Sequence, residues 1–144
     1  MNDFDEFAHF FRKPKYPVIV DIEGVLVAAK SVRPLCTKLL RLDLVEKQSY
    51  DAIDKTGESW TLVVMRGNAV LSPINFKKQP TKLELIRWFN NRKNKTADEV
   101  EYSEKSLSSK KRDRIIAEIA DRLLDAEKRN ASSGAKAIGN EGEH

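Results

Sequence analysis

Val18-Ile19-Val20-Asp21-Ile22-Glu23-Gly24-Val25-Leu26-Val27 is the stretch on which the fold turns. Two apolar runs rich in Val and Ile flank a break that holds two acids and a glycine, and the break supports two readings. In the first, Tyr16 to Asp21 and Val25 to Ala29 are arms of an antiparallel hairpin, and Glu23-Gly24 supplies the positive backbone angles of a tight turn. In the second, the first run is a central strand that ends at a functional carboxylate.

The surrounding segments favour the hairpin. Glu46 to Ile53, Glu58 to Met65 and Asn68 to Leu71 are separated by Asp54-Lys55-Thr56-Gly57 and by Arg66-Gly67, both of them turn chemistry, so a three-strand meander is predicted. Apolar residues occupy both faces of the middle run, which predicts a strand covered on both sides. Val32, Leu35, Leu39 and Leu42 recur at helical spacing within Ser31 to Asp43, with Pro34 in a first turn that tolerates it.

Pro80-Thr81-Lys82-Leu83-Glu84 carries a capping box: the Thr81 hydroxyl can accept from the Glu84 amide while the Glu84 carboxylate reaches back. A helix is expected from there to Asn90 or Asn91, with Leu85, Trp88 and Phe89 inward. Residues 92–105 lack a period and read as a loop with a short strand at Val100 to Tyr102. A long helix is expected over Ser109 to Lys128, its face written by Ile115, Ile116, Ile119, Ala120, Leu123 and Leu124. At the other end, Phe4, Phe7, Ala8 and Phe11 at helical spacing behind Asp3 predict a short helix over Asn2 to Phe11.

The order α, β, β, α, β, β, β, α, α puts strands beside strands. It predicts an α+β fold: one domain over residues 1–129, a small, mostly antiparallel sheet made of a hairpin and a meander, helices packed on one face, and a long C-terminal helix. Residues 130–144, rich in Ala, Ser, Gly and Glu, have little to bury and are expected to form a disordered tail.

Composition narrows the classes of function. The 144 residues suffice for one core, and the lack of an apolar run near eighteen residues argues against a membrane span. The first eleven residues carry three acids and no basic residue, unlike a secretory signal, so a cytoplasmic protein is expected. A single cysteine, Cys36, allows neither an intrachain disulfide nor a cysteine-based metal site; set among leucines with no histidine to activate it, it reads as an inert buried residue. His9, on the apolar helix predicted at the N-terminus, and His144, on the expected tail, are the two histidines and give no serine or cysteine nucleophile an obvious imidazole partner.

The opening stretch resembles the first motif of the haloacid dehalogenase-like phosphatases, an apolar strand followed by Asp-x-Asp-Gly and Thr or Val. By that resemblance Asp21 would be the nucleophile and a magnesium ligand, and Glu23 would stand at the position of the general acid or base. The chain departs from the pattern where Glu23 replaces the second Asp. Asp98 and Glu99 follow a polar stretch rather than the late apolar strand whose acids complete the family's metal site. The phosphatase therefore remains an alternative to a non-catalytic protein without a cofactor.

The strongest remaining signal is charge. Residues 77–114 hold twelve Lys or Arg against six Asp or Glu, a net of +6, and the rest of the chain carries −2. Lys77, Lys78, Lys82, Arg87, Arg92, Lys93, Lys110, Lys111, Arg112 and Arg114 are the candidate binding residues. Lys110 to Arg114 open a helix, where cations oppose the macrodipole by a few tenths of a kcal/mol, so they contribute nothing to the helix itself. The expected function is that of an accessory or inhibitory protein that binds an acidic macromolecular surface through this region, with nucleic acid as the alternative partner.

Overall fold

The computed structural model describes the backbone of residues 6–142 and the side chains of residues 6–130. It is a single α+β domain built on one curled, mixed six-stranded sheet. Strands β1 (Glu6–His9), β2 (Val18–Ile22), β3 (Val25–Ala29), β4 (Ser49–Ile53), β5 (Ser59–Met65) and β6 (Asn68–Ser72) lie in the order β1-β6-β5-β4-β2-β3. Helices α1 (Val32–Leu40), α2 (Lys82–Asn90) and α3 (Arg112–Gly142) and a 3-10 turn at Glu104–Leu107 complete the chain.

The hairpin reading of the opening stretch holds. β2 and β3 pair antiparallel from Val18 with Ala29 to Ile22 with Val25, and the turn has Glu23 at φ 53° and Gly24 at φ 95°. Since β2 is also antiparallel to β4 on its other side, the parallel sheet implied by the phosphatase resemblance is not the sheet observed. The meander is present as expected, β4 with β5 and β5 with β6. Its first turn is organised by the buried Asp54 carboxylate, which accepts from the amides of Thr56 (2.9 Å), Glu58 (3.2 Å) and Lys15 (3.2 Å).

Four expectations are corrected. Glu6–His9 is a strand, not a helix, and pairs in parallel with β6 at the edge of the sheet, with Phe7 and His9 half-buried on one face and Ala8 and Phe10 exposed on the other. The helical spacing of the phenylalanines was coincidental: Phe11 lies beyond the strand at φ 67° and is 76% exposed, and Phe4 lies outside the described residues. β5 is buried on one face only: Trp60, Leu62 and Val64 are core, Thr61 and Val63 are half-exposed and Met65 is exposed.

Helices cover both sheet faces rather than one. Val18, Val20 and Ile22 pack with Leu35 and Leu39 of α1, whereas Ile19, Leu26 and Ala28 pack with Leu85, Ile86 and Phe89 of α2 and with Ile115, Ile116 and Ile119 of α3. Both faces of β2 and β3 are apolar, and a sheet apolar on both faces needs a layer on each. Finally, Val100 to Tyr102 forms no strand; the loop is held by Asn90, whose side chain accepts from the Tyr102 amide at 2.8 Å and donates to the Tyr102 carbonyl at 3.0 Å.

The capping box at Thr81 and Glu84 is formed as read. α3 starts at Arg112, three residues later than expected, because Ser109 and Lys110 still turn back to the carbonyl of Ser106. The tail expectation for 130–144 falls, from residue 131 on, on residues whose side chains lie outside the described ones; the backbone helix runs to Gly142.

Candidate functional site

Between α2 and the sheet lies a cleft of about 290 Å³. Asp21, Asp51, Ile53 and Ser59 line it from the sheet. Glu84 and Trp88 of α2 line the opposite wall, and Asn75, Lys77 and Lys78 come from the segment that leads from β6 into α2. This segment is tied across the sheet: Ile74 accepts from the Thr61 hydroxyl at 2.9 Å, and the Asn75 amide nitrogen donates to the Trp60 carbonyl at 2.9 Å.

Asp21 lies in this cleft and Glu23 does not. The two residues are two positions apart at the end of a strand, where the chain turns out of the sheet. Asp21 Oδ1 accepts from the Gly24 amide at 2.7 Å and Oδ2 from the Trp88 indole at 3.1 Å. The Glu23 carboxylate instead accepts from Gln48 Nε2 at 3.0 Å on the surface. The arrangement gives Asp21 a structural task, closing the turn and holding α2. Lys77 Nζ bonds the Asp51 carboxylate at 2.5 Å, and that bond, followed by the charge of Asp51 and a contribution from Asp21, holds the Lys77 ammonium above its ordinary pKa.

The ten basic residues do not form one patch. Arg92 is buried beneath the 92–105 loop, its guanidinium 2.5 Å from Glu99 and stacked 4.1 Å over the Phe89 ring. Lys82 Nζ donates to the carbonyls of Leu107 and Lys110 at 2.7 and 2.9 Å, closing the turn that precedes α3. Lys110 Nζ lies 2.5 Å from Glu118, which also accepts from the Tyr102 hydroxyl at 2.6 Å. Those two donors hold the Glu118 carboxyl below its ordinary pKa, and its bond to Lys110 raises the ammonium. Arg87 pairs with Glu104 and Arg114 with Glu118, each at 3.4 Å on the surface. The Lys93 stem lies against Gly24, beyond the C-terminal end of α2, whereas Lys110 meets Lys82 at its N-terminal end.

One part of the basic region is brought together. Arg112 Nη1 donates to Gln79 Oε1 at 2.6 Å, which joins the start of α3 to the segment before α2 and places Lys111 and Lys78, each adjacent in sequence to one partner, at the same end of the molecule. Neither Lys78 nor Lys111 has an ion-pair partner among the described residues. Phe76, two residues before Lys78, is 100% exposed.

Sequence reasoning missed Asp51, Ser59, Asn75 and Glu84 as cleft residues, and Gln79 as the bridge. A polar residue within the apolar Tyr50-Asp51-Ala52-Ile53 run was the one local sign, since strand alternation puts Asp51 on the face opposite Tyr50 and Ala52. Cys36 is half-buried rather than buried, and its surroundings push the thiol pKa up, consistent with an unreactive side chain. Among the described residues no three His, Cys, Asp or Glu side chains assemble into a metal site, and no helix is long and apolar enough to cross a membrane. No protein-family model, curated protein or solved structure matches the chain.

Proposed function

We propose that the protein is a non-catalytic accessory or inhibitory protein that engages an acidic face of another protein, using the end of the molecule where Lys78, Lys111 and Arg112 meet and Phe76 as the apolar anchor. The observation that carries this reading is the Arg112 to Gln79 bond, which joins two basic stretches distant in sequence. The N-terminus of α3 adds the positive end of its dipole to the same place. Phe76, two residues before Lys78, projects wholly into solvent, and an exposed aromatic near free cations in the chain supports the role of an interface anchor.

The same geometry favours a protein over nucleic acid. A phosphate backbone is tracked by a stripe of free cations, and Arg92, Lys82 and Lys110 are instead committed to internal partners. Lys110 in particular belongs to the packing of Tyr102 and Glu118 rather than to the free surface.

The test is a photo-reactive amino acid at position 76 in cells of the source organism, followed by reconstitution of the captured partner with purified protein. Charge reversal at Lys78 and Lys111 together weakens binding by about tenfold or more and mainly slows association, and Phe76→Ser weakens it comparably through faster dissociation. Binding that neither variant alters refutes the proposal. Retention on duplex DNA or RNA whose affinity falls with salt by roughly 0.9 per phosphate contact would put nucleic acid in the place of the acidic protein.

A further inference from the structure

The cleft beneath α2 adjoins that cationic end, with Lys78 common to both, and has a chemistry of its own. Its wall residues carry three carboxylates, Asp21, Asp51 and Glu84, against two ammonium groups, Lys77 and Lys78, so it is acidic by one charge although it lies in the basic part of the chain. We propose that the cleft binds a small organic amine, with Asp21 as the counter-ion of its cationic head and the apolar wall as the seat of its stem.

Asp21 is half-buried and receives only two neutral donors, the Gly24 amide and the Trp88 indole, with no cation in ion-pair contact among the described residues. A carboxylate accepts about four hydrogen bonds, so its remaining lone pairs are open to a charged donor from the cleft. The neighbouring Asp51 already shows the recognition proposed: it holds an alkylammonium, that of Lys77, at 2.5 Å. Ile53 and Pro80 offer the apolar surface on which an aliphatic stem packs, and the Trp88 ring borders the space a cation would occupy. At about 290 Å³ the space sits near the lower end of small-molecule sites, which excludes large ligands. This site does not depend on the partner proposed above.

Trp88 provides the readout, because its indole N–H bonds Asp21, whereas the other indole, that of Trp60, is fully buried in the opposite core cluster and its N–H has no hydrogen-bond partner. Purified protein labelled with nitrogen-15 is titrated with n-butylammonium, and with butyrate as the control of opposite charge. The expected result is a saturable shift of the Trp88 indole and Gly24 amide resonances with the amine, an unmoved Trp60 indole, and no saturable response to butyrate. Asp21→Asn abolishes the response to the amine while the spectrum stays dispersed. Because the titration of the unaltered protein is decisive by itself, the proposal stays testable even if this variant fails to fold. Parallel titrations with butane-1,4-diamine and with a lysine blocked at both ends separate the two sources of such a group: tighter binding of the diamine identifies a free metabolite, and tighter binding of the blocked lysine identifies a protein side chain. The proposal is overturned if no amine moves the Trp88 indole, if butyrate moves it equally, or if Asp21→Asn responds as the unaltered protein does.

Discussion

Trp88 of α2 donates its indole hydrogen to Asp21 Oδ2 at 3.1 Å, while the other oxygen of the same carboxylate closes the β2 to β3 turn on the Gly24 amide at 2.7 Å. One side chain thus joins the tightest local feature of the chain to a helix sixty-seven residues away. The motif that resembles a phosphatase nucleophile loop serves here to set the angle of α2 on the sheet, and so to shape the cleft between them.

Removing that acceptor should be costly. Asp21→Ala leaves the Gly24 and Trp88 hydrogens facing a partly buried space, and a loss of about 1–3 kcal/mol is expected in urea unfolding. Trp88→Phe, which removes one donor and retains most of the packing, should cost about 0.5–1.5 kcal/mol. The double variant should cost less than the two singles added together, because each already breaks the shared bond. Strict additivity would show that the contact carries no energy.

The buried pair of Arg92 and Glu99, with side chains 1% and 5% exposed and 2.5 Å apart, should behave differently from the surface cations. Arg92→Leu strands a carboxylate inside the 92–105 loop and should cost about 3–5 kcal/mol, whereas replacing both residues by apolar ones should restore most of the loss. Arg87→Leu, on an exposed pair, should change stability by less than about 1 kcal/mol. Equal costs at the two arginines would contradict the distinction drawn between buried and surface charge.

The dependence of stability on pH should fall in two steps on the acid side. Burial, with the nearby charge of Lys13, holds the His9 imidazole below its ordinary pKa of 6.5. The unfolded chain therefore binds that proton first, and stability declines as pH drops below 6.5 towards the lower folded value. Burial would raise Glu99, but the Thr96 amide and Arg92 outweigh it and hold the carboxyl below its ordinary 4.5; Lys110 and Tyr102 lower Glu118 from the same value. Carboxyls lowered on folding stabilise above the unfolded value, so a second and larger loss begins below pH 4.5. Urea midpoints from pH 8 to pH 3 test this, and His9→Gln should remove the first step alone. A midpoint that rises between pH 7 and pH 5.5 would refute the account of His9.

What could be read in the chain depended on how local each feature is. The hairpin, the meander and the capping box were legible because Glu23-Gly24, Arg66-Gly67 and Thr81 with Glu84 act on near neighbours. β1 was not: a four-residue strand set among phenylalanines at helical spacing carries no sign of a parallel partner that begins at Asn68. The charge count located the basic region but could not see that Glu99, Glu118 and the carbonyls of Leu107 and Lys110 absorb Arg92, Lys110 and Lys82. The cleft was least legible, since its walls come from three strands, a linker and a helix that are brought together only once the sheet has formed.

The position of Arg112 rests on a glycine, which allows a test of the cationic end without altering its charge. Gly57 closes the β4 to β5 turn at φ 86°, and a Cβ built there would lie 2.7 Å from Arg112 Cδ and 3.3 Å from Ile116 Cδ1. Gly57→Ala carries the left-handed backbone penalty of about 1–2 kcal/mol and also displaces the Arg112 stem, pulling its guanidinium from Gln79. In the background of Arg112→Ala the close contact at Cδ is gone, and the added cost of Gly57→Ala should fall towards the backbone penalty alone. Partner binding should weaken in Gly57→Ala with every formal charge retained. In the Arg112→Ala background the same glycine substitution should leave binding unchanged, since the side chain it would displace is absent. Loss of binding in both backgrounds would mean that the turn itself, rather than the placement of Arg112, forms the contact surface.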